Sequence, residues 1–140
     1  MTTYIKNSDA TQPVQSKLIR ITDADLARQP NPLVYDIQLP AGAIVVGGHL
    51  NVQAASNDAS TDVMDVGDAG SANRLANDLN LKTTGLKALT PTGYVMQGDA
   101  TGAPKLRLTR VPANAGTSNA LSMLVYVEFV VEGVACGNQG

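Results

Sequence analysis

Residues 121–133 read Leu-Ser-Met-Leu-Val-Tyr-Val-Glu-Phe-Val-Val-Glu-Gly. Every second position, Leu121, Met123, Val125, Val127, Phe129 and Val131, is apolar. The intervening set is Ser122, Leu124, Tyr126, Glu128, Val130 and Glu132. Side chains in a strand alternate between faces, so this is one long strand with a wholly apolar face and a mixed one. A helix would scatter the glutamates around its circumference and gains little from β-branched and aromatic residues. A strand this long and apolar cannot stand alone. It needs sheet on each side and a second layer over its apolar face.

The rest of the chain can supply that layer. Its 140 residues fit one domain, and 44% are apolar, but only 4% are aromatic and tryptophan is absent. The core must therefore be built from Val, Ile, Leu and Ala. Charged residues make up 16% and there are thirteen glycines, against about 25% charged in an average soluble domain. Such sparse charge points to a surface partly covered by something else, such as copies of itself. The net charge of -2 leaves no electrostatic footprint for nucleic acid. Residues 1–9 lack the apolar centre of a signal peptide. The longest apolar run, 123–131, is interrupted by Glu128 and is far shorter than the ~20 residues of a spanning helix. A soluble protein is expected. The single cysteine, Cys136, excludes an intrachain disulfide and a multi-cysteine metal site, and without acidifying neighbours it is expected to be inert.

Taken in order, residues 1–14 are polar, contain Pro13 and suggest an arm or a short edge strand. Residues 17–22 are a short strand candidate. Residues 23–29 can form one helical turn behind an aspartate cap, ended by Pro30 and Pro32. Residues 33–39 alternate, with Leu33, Tyr35, Ile37 and Leu39 inward, and Pro40-Ala41-Gly42 is a turn. Residues 43–54 are the second long strand. Its inner face is expected to carry Ile44, Val46, Leu50 and Val52, and its outer face His49, Asn51 and Gln53. Gly47 and Gly48 interrupt it as a bulge or bend.

A turn at 57–60 leads to a strand at 62–67 and a turn at 68–70. Leu75, Ala76 and Leu79 sit at helical spacing, so a short helix or irregular loop is expected within 71–81. Turns at 83–85 and 91–93 precede a short strand at 94–96, and 98–102 is a hairpin loop. In 105–111, Leu106 and Leu108 point inward and Lys105, Arg107 and Thr109 outward; 112–119 is a small-residue loop. About eight strands with turn signals every ~8–12 residues predict an all-β fold, an antiparallel, jelly-roll-like β-sandwich. The expected division is an arm over 1–14, the sandwich over 15–135 and a mobile tail over 136–140.

Chemistry is sparse. His49 is the only histidine; it sits mid-strand beside Asn51 and Gln53, and no G-x-S-x-G elbow supplies a nucleophile. A structural or interface histidine in a non-enzyme is expected. Asp58, Asp62, Asp65, Asp68 and Asp78 cluster with only Arg74 among them, and hard cations want several such oxygens. Asp62, Asp65 and Asp68 are the candidate calcium ligands. Their odd spacing puts neighbours on alternate faces, so turn and capping roles are the default. Lys105, Arg107 and Arg110 form a small basic group without aromatics for base stacking. They suggest a solvated strand face or, second, a dock for an acidic partner. Gly42, Gly47 and Gly48 make no phosphate loop. No cofactor is expected.

Three stretches carry a family resemblance: Leu-Pro-Ala-Gly-Ala-Ile-Val from Leu39, Asp-Val-Met-Asp-Val-Gly-Asp-Ala-Gly-Ser-Ala-Asn-Arg-Leu from Asp62, and Val-Tyr-Val-Glu-Phe from Val125. Over residues 33–133 the chain resembles small tailed-bacteriophage virion proteins, the capsid decoration (cement) and head-associated structural proteins. It departs from them at Ser71-Ala72-Asn73, where similar proteins often carry an acidic-proline pair. The resemblance implies a non-enzymatic β-sandwich or jelly roll, made in the host cytoplasm. It would lie on the outer capsid surface as a homotrimer between major capsid protein subunits, with neither nucleic acid nor membrane as partner. On that reading Val45, His49, Asn51, Gln53 and Val130 are protomer contacts, and Tyr4, Ile5 and Lys6 of the arm dock on the capsid. The alternative is a carbohydrate- or receptor-binding jelly roll of a head or tail fibre. Sugar sites favour open Trp or Tyr faces, and here only Tyr4, Tyr35, Tyr94 and Tyr126 exist, with Tyr35 expected inside.

Overall fold

The computed structural model describes residues 13–31, 33–98, 102–113 and 118–131. Among them run β1 (Gln15–Thr22), α1 (Asp23–Ala27), β2 (Val34–Gln38), β3 (Ala43–Ala54), β4 (Asp62–Gly67), β5 (Ala76–Asn80), β6 (Gly85–Ala88), β7 (Lys105–Pro112) and β8 (Ser122–Val131). They form two four-stranded sheets, ordered β1-β8-β3-β6 and β2-β7-β4-β5. Every pairing is antiparallel. First strand pairs with last, second with seventh, third with sixth and fourth with fifth. The chain is thus one long hairpin whose successive rungs fall alternately into one sheet and the other, which is the jelly-roll arrangement.

β8 lies inside its sheet, between β1 and β3. All six apolar side chains of its inner face, Leu121 to Val131 in alternation, are at most 7% exposed. They meet Leu106 and Leu108 of β7, Met64 and Val66 of β4, and Ile37 of β2 in one cluster. Burying a side chain of this kind contributes about 1.5–3 kcal/mol, so the alternation of β8 sets both the register and much of the stability.

Several local expectations are corrected. The helix is capped by Thr22, not Asp23. Thr22 Oγ1 accepts from the Asp25 N–H and the Asp25 carboxylate accepts from the Thr22 N–H, a capping box. That leaves Asp23 for a role described below. Leu33 precedes β2 and is 37% exposed, whereas Tyr35 packs against the core as expected. In β3, Ile44 and Val46 face outward and Ala43 and Val45 inward. Val46 is the extra residue of a bulge, since Val45 opposes Phe129 and Gly47 opposes Glu128. One inserted residue exchanges the faces, so the odd positions point inward before the bulge and Leu50 and Val52 after it.

Gly48 makes this bend possible. Its φ is +143°, and a Cβ there would stand 2.4 Å from the Tyr126 carbonyl oxygen. Residues 76–80 form a strand, β5, against the expected helix or loop, and β6 occupies 85–88, where no strand was expected. Residues 94–96 contribute only an isolated bridge between Ile44 and Val95. Most of the 1–14 arm, with Tyr4, Ile5 and Lys6, lies outside the described residues. So do Pro32, the middles of the 98–102 and 112–119 loops, Cys136 and the 136–140 tail.

Candidate interaction surface

The sandwich presents two outer faces of different character. On the β2-β7-β4-β5 sheet Arg107 and Asp36 form an ion pair across neighbouring strands. The Arg107 guanidinium grips Asp36 from the neighbouring strand through two bonds of 2.8 and 3.0 Å. That hydrogen bond raises the Arg107 pKa against the opposing effect of burial. Asp65 accepts from the Asp78 N–H at 2.8 Å. A depression of about 240 Å³ opens beside Gln29, Asn31, Asp36 and Arg107. Its ion pair is already closed and its lining contains no aromatic side chain.

The β1-β8-β3-β6 sheet differs. Its register lays outward side chains in rows across the strands. One row is Leu18, Tyr126, His49 and Ala88; the next is Arg20, Leu124, Asn51 and Leu86. Further along come Ser16, Glu128 and Gly47, then Val130 and Ile44. Leu18 and Leu86 are 63% and 66% exposed, and Val46 is 43% exposed. Several polar members of this face bond or pack against one another. The His49 and Tyr126 rings lie 5.4 Å apart, centre to centre. The Tyr126 hydroxyl donates to Glu128 Oε2 at 2.9 Å, and this bond to a carboxylate raises the tyrosine pKa. Glu128 arches over Gly47, where a Cβ would come within 2.8 Å of Oε1. Arg20 lies back over its own sheet, with Nη1 donating to Gln53 Oε1 and Ser122 Oγ at 2.8 and 3.0 Å. What remains toward solvent is a set of aliphatic side chains among polar groups, several of which bond to one another. Such a face suits contact with another protein surface.

His49, Asn51 and Val130 stand half-buried on this face, with Gln53 exposed beside them. Val45 does not join them: it is 3% exposed in the core, because the bulge that turns Val46 outward turns Val45 inward.

The basic group is divided by the fold. Arg110 shares the inward parity of Leu106 and Leu108 and is 4% exposed, not on the solvated face with Lys105 and Arg107. Its Nε and Nη2 donate to the fully buried Asp62 carboxylate, and its Nη1 to Asp23. Asp62 also accepts from Ser56 Oγ at 2.6 Å. Asp23 accepts from Ser118 Oγ and the Leu121 N–H, both at 2.8 Å. This cluster ties α1, β4, β7 and the approach to β8 together at one end of the sandwich. The alternation Leu106-x-Leu108-x-Arg110 was the available signal for it.

The candidate calcium ligands are likewise separated. Asp62 is held by Arg110 and Asp65 by a backbone N–H. Asp68 closes its own turn, accepting from the Gly70 and Ser71 N–H groups at 2.8 and 2.9 Å and pairing with Arg74 at 2.5 Å. Burial pushes the Asp68 pKa up, but Arg74 and these two N–H groups outweigh it and hold the value below that of a free aspartate. Arg74 in turn stacks on Tyr94, 3.6 Å from the ring centre. Among the described residues no three His, Cys, Asp or Glu side chains converge as a metal site. No described helix is long and apolar enough to cross a membrane.

No family model and no curated protein matches the chain. Solved structures share its fold. The chain superposes on one from the capsid asymmetric unit of cyanophage Pam1 with a TM-score of 0.55 and 24% identity, over 94% of this chain and 92% of that one. It superposes on one from the acid-stable capsid of Helicobacter pylori bacteriophage KHP30 with a TM-score of 0.53 and 18% identity, over 86% and 90%. At these identities the likeness is one of fold, and it extends over most of the length of each chain.

Proposed function

We propose that this chain is a structural protein of a phage virion, a capsid decoration (cement) protein without enzymatic activity. The observation that carries the reading is the fold likeness, which takes in about nine-tenths of each of two capsid chains. On this reading the protein, made in the host cytoplasm, lies as a homotrimer on the outer surface of the head and bridges subunits of the major capsid protein. Packaged DNA pushes outward on a thin shell, and a bridge across the joints adds buried area where the shell would open. A ligand that binds only the assembled lattice stabilises it by mass action. The aliphatic outer face of the β1-β8-β3-β6 sheet supports a role in protein contacts, with His49, Asn51, Gln53 and Val130 between protomers and the 1–14 arm on the capsid. The sugar-binding alternative gains nothing from the described tyrosines, since Arg74 takes up one face of Tyr94 and His49 lies beside Tyr126.

The test is to add purified protein to capsids lacking it, image the particles, and measure native mass by light scattering across dilution. Added density on the outer shell and a native mass that is a multiple of three chains are expected. Bare capsids together with a monomeric mass at all concentrations would overturn the proposal.

A further inference from the structure

A jelly roll has four sheet edges, and edges invite another strand unless they are short, bulged or guarded by charge. Three of the four are blunted here. β6 has four residues and opens on Gly85 at φ +114°. β2 has five residues. β5 has five, a break in its register with β4, and Asp78 at φ +57°. β1 is different. It has eight residues in unbroken register with β8, and no described strand pairs with its other side.

Its two cations do not guard that edge. Lys17 Nζ donates to the Gln38 carbonyl of the opposite sheet, and Arg20 lies back toward Gln53 and Ser122. Between them Leu18 stands 63% exposed.

We infer that the outer edge of β1 docks β1 of a second copy of this chain, antiparallel about a two-fold axis at Leu18, joining the two β1-β8-β3-β6 sheets into one. The register follows from the side chains. Opposed residues in an antiparallel pair share a face, and like charges directly opposite destabilise it. Centring the pair on Lys17 sets lysine against lysine, and centring it on Arg20 sets arginine against arginine. Centring on Ile19 faces Leu18 with an arginine. Centring on Leu18 sets it against its own counterpart, Arg20 against Ser16, and Lys17 against Ile19, so no like charges meet and the exposed leucine is covered. An isologous edge contact of this kind closes after two copies. It is separate from any three-fold contact and does not depend on the capsid reading.

Residues opposed across an antiparallel pair have Cα atoms about 4.5–5.5 Å apart, within the range a disulfide spans. In a Cys136→Ser background, Leu18→Cys should therefore form disulfide-linked pairs under mild oxidation, read on a denaturing gel. Ser16→Cys and Arg20→Cys should stay single when alone and link when mixed. Leu18→Lys, at an exposed position that leaves the β-sheet circular dichroism unchanged, should break the edge contact and halve the native mass in light scattering. Absence of linkage in Leu18→Cys, or equal linkage of Ser16→Cys alone, would overturn the inference. A partner strand from another protein at this edge would show itself in the same way, as failure of self-linkage.

Discussion

Replacing Asp62 by alanine is the sharpest test of how the closed end of the sandwich is held. The carboxylate is fully buried and takes three bonds from Arg110, at 3.0, 3.1 and 2.5 Å, plus one from Ser56. Its loss strands a guanidinium that is itself 4% exposed. Removing one member of a buried ion pair costs about 3–5 kcal/mol. Asp23 still contacts Arg110 Nη1, so the lower end, about 3 kcal/mol, is expected. In a chain of this size that lowers Tm by roughly 10 °C. Urea unfolding at neutral pH with a two-state fit gives the free energy, and a thermal scan gives the shift. Asp62→Leu combined with Arg110→Met should cost less than the sum of the two singles, because that ion pair leaves together; Asp23, which loses Arg110, keeps its bonds from Ser118 Oγ and the Leu121 N–H. If the alanine variant fails to fold, Asp62→Asn supplies the same comparison. A loss below about 1 kcal/mol, the range of an exposed pair, would refute the reasoning. So would a double variant whose cost equals the sum of the singles.

Two further outcomes are expected. Gly48→Ala forces a Cβ to within 2.4 Å of the Tyr126 carbonyl at a φ of +143°, and should cost roughly 3 kcal/mol in urea unfolding from backbone strain and overpacking together; an unchanged midpoint would count against the described bulge. Asp68→Asn should weaken the fold at neutral pH, where the lowered pKa of Asp68 favours the folded state. That difference is complete above the unfolded-state value of about 3.9 and fades as pH falls through the folded-state value. Urea midpoints measured from neutral to acid pH check this, and a difference that persists at the acid end contradicts it.

Alternation made β4, β7 and β8 legible in the sequence, because each has one face sealed in the core and a period of two admits no drift. It failed where the period itself is broken. The two glycines of β3 announced a bulge, but the faces on either side of it depend on how many residues are inserted, which only the partner strand decides. β5 was hidden because Leu75 and Leu79 sit four apart, which suits a helix. Leu75 in fact lies in the turn before the strand, and Leu79 reaches the core from within it. The buried Arg110 shows a bias of another sort. Charge suggests solvent, yet its place two residues after Leu108 assigns it to the inner face, and the aspartates that receive it are far away in sequence. Side chains meeting across a sheet, as in the row from Leu18 to Ala88, become neighbours only through a register that one-dimensional periodicity does not contain.

The interior position of β8 has a consequence for biosynthesis. Seven described strands precede it in the chain, and until it is made the gap between β1 and β3 stays open. The β2-β7-β4-β5 sheet contains none of the β8 residues, whereas β1 and β3 each lack a paired border without β8. A variant truncated upstream of residue 122 should therefore expose the facing borders of β1 and β3 and associate through them rather than form a smaller stable domain.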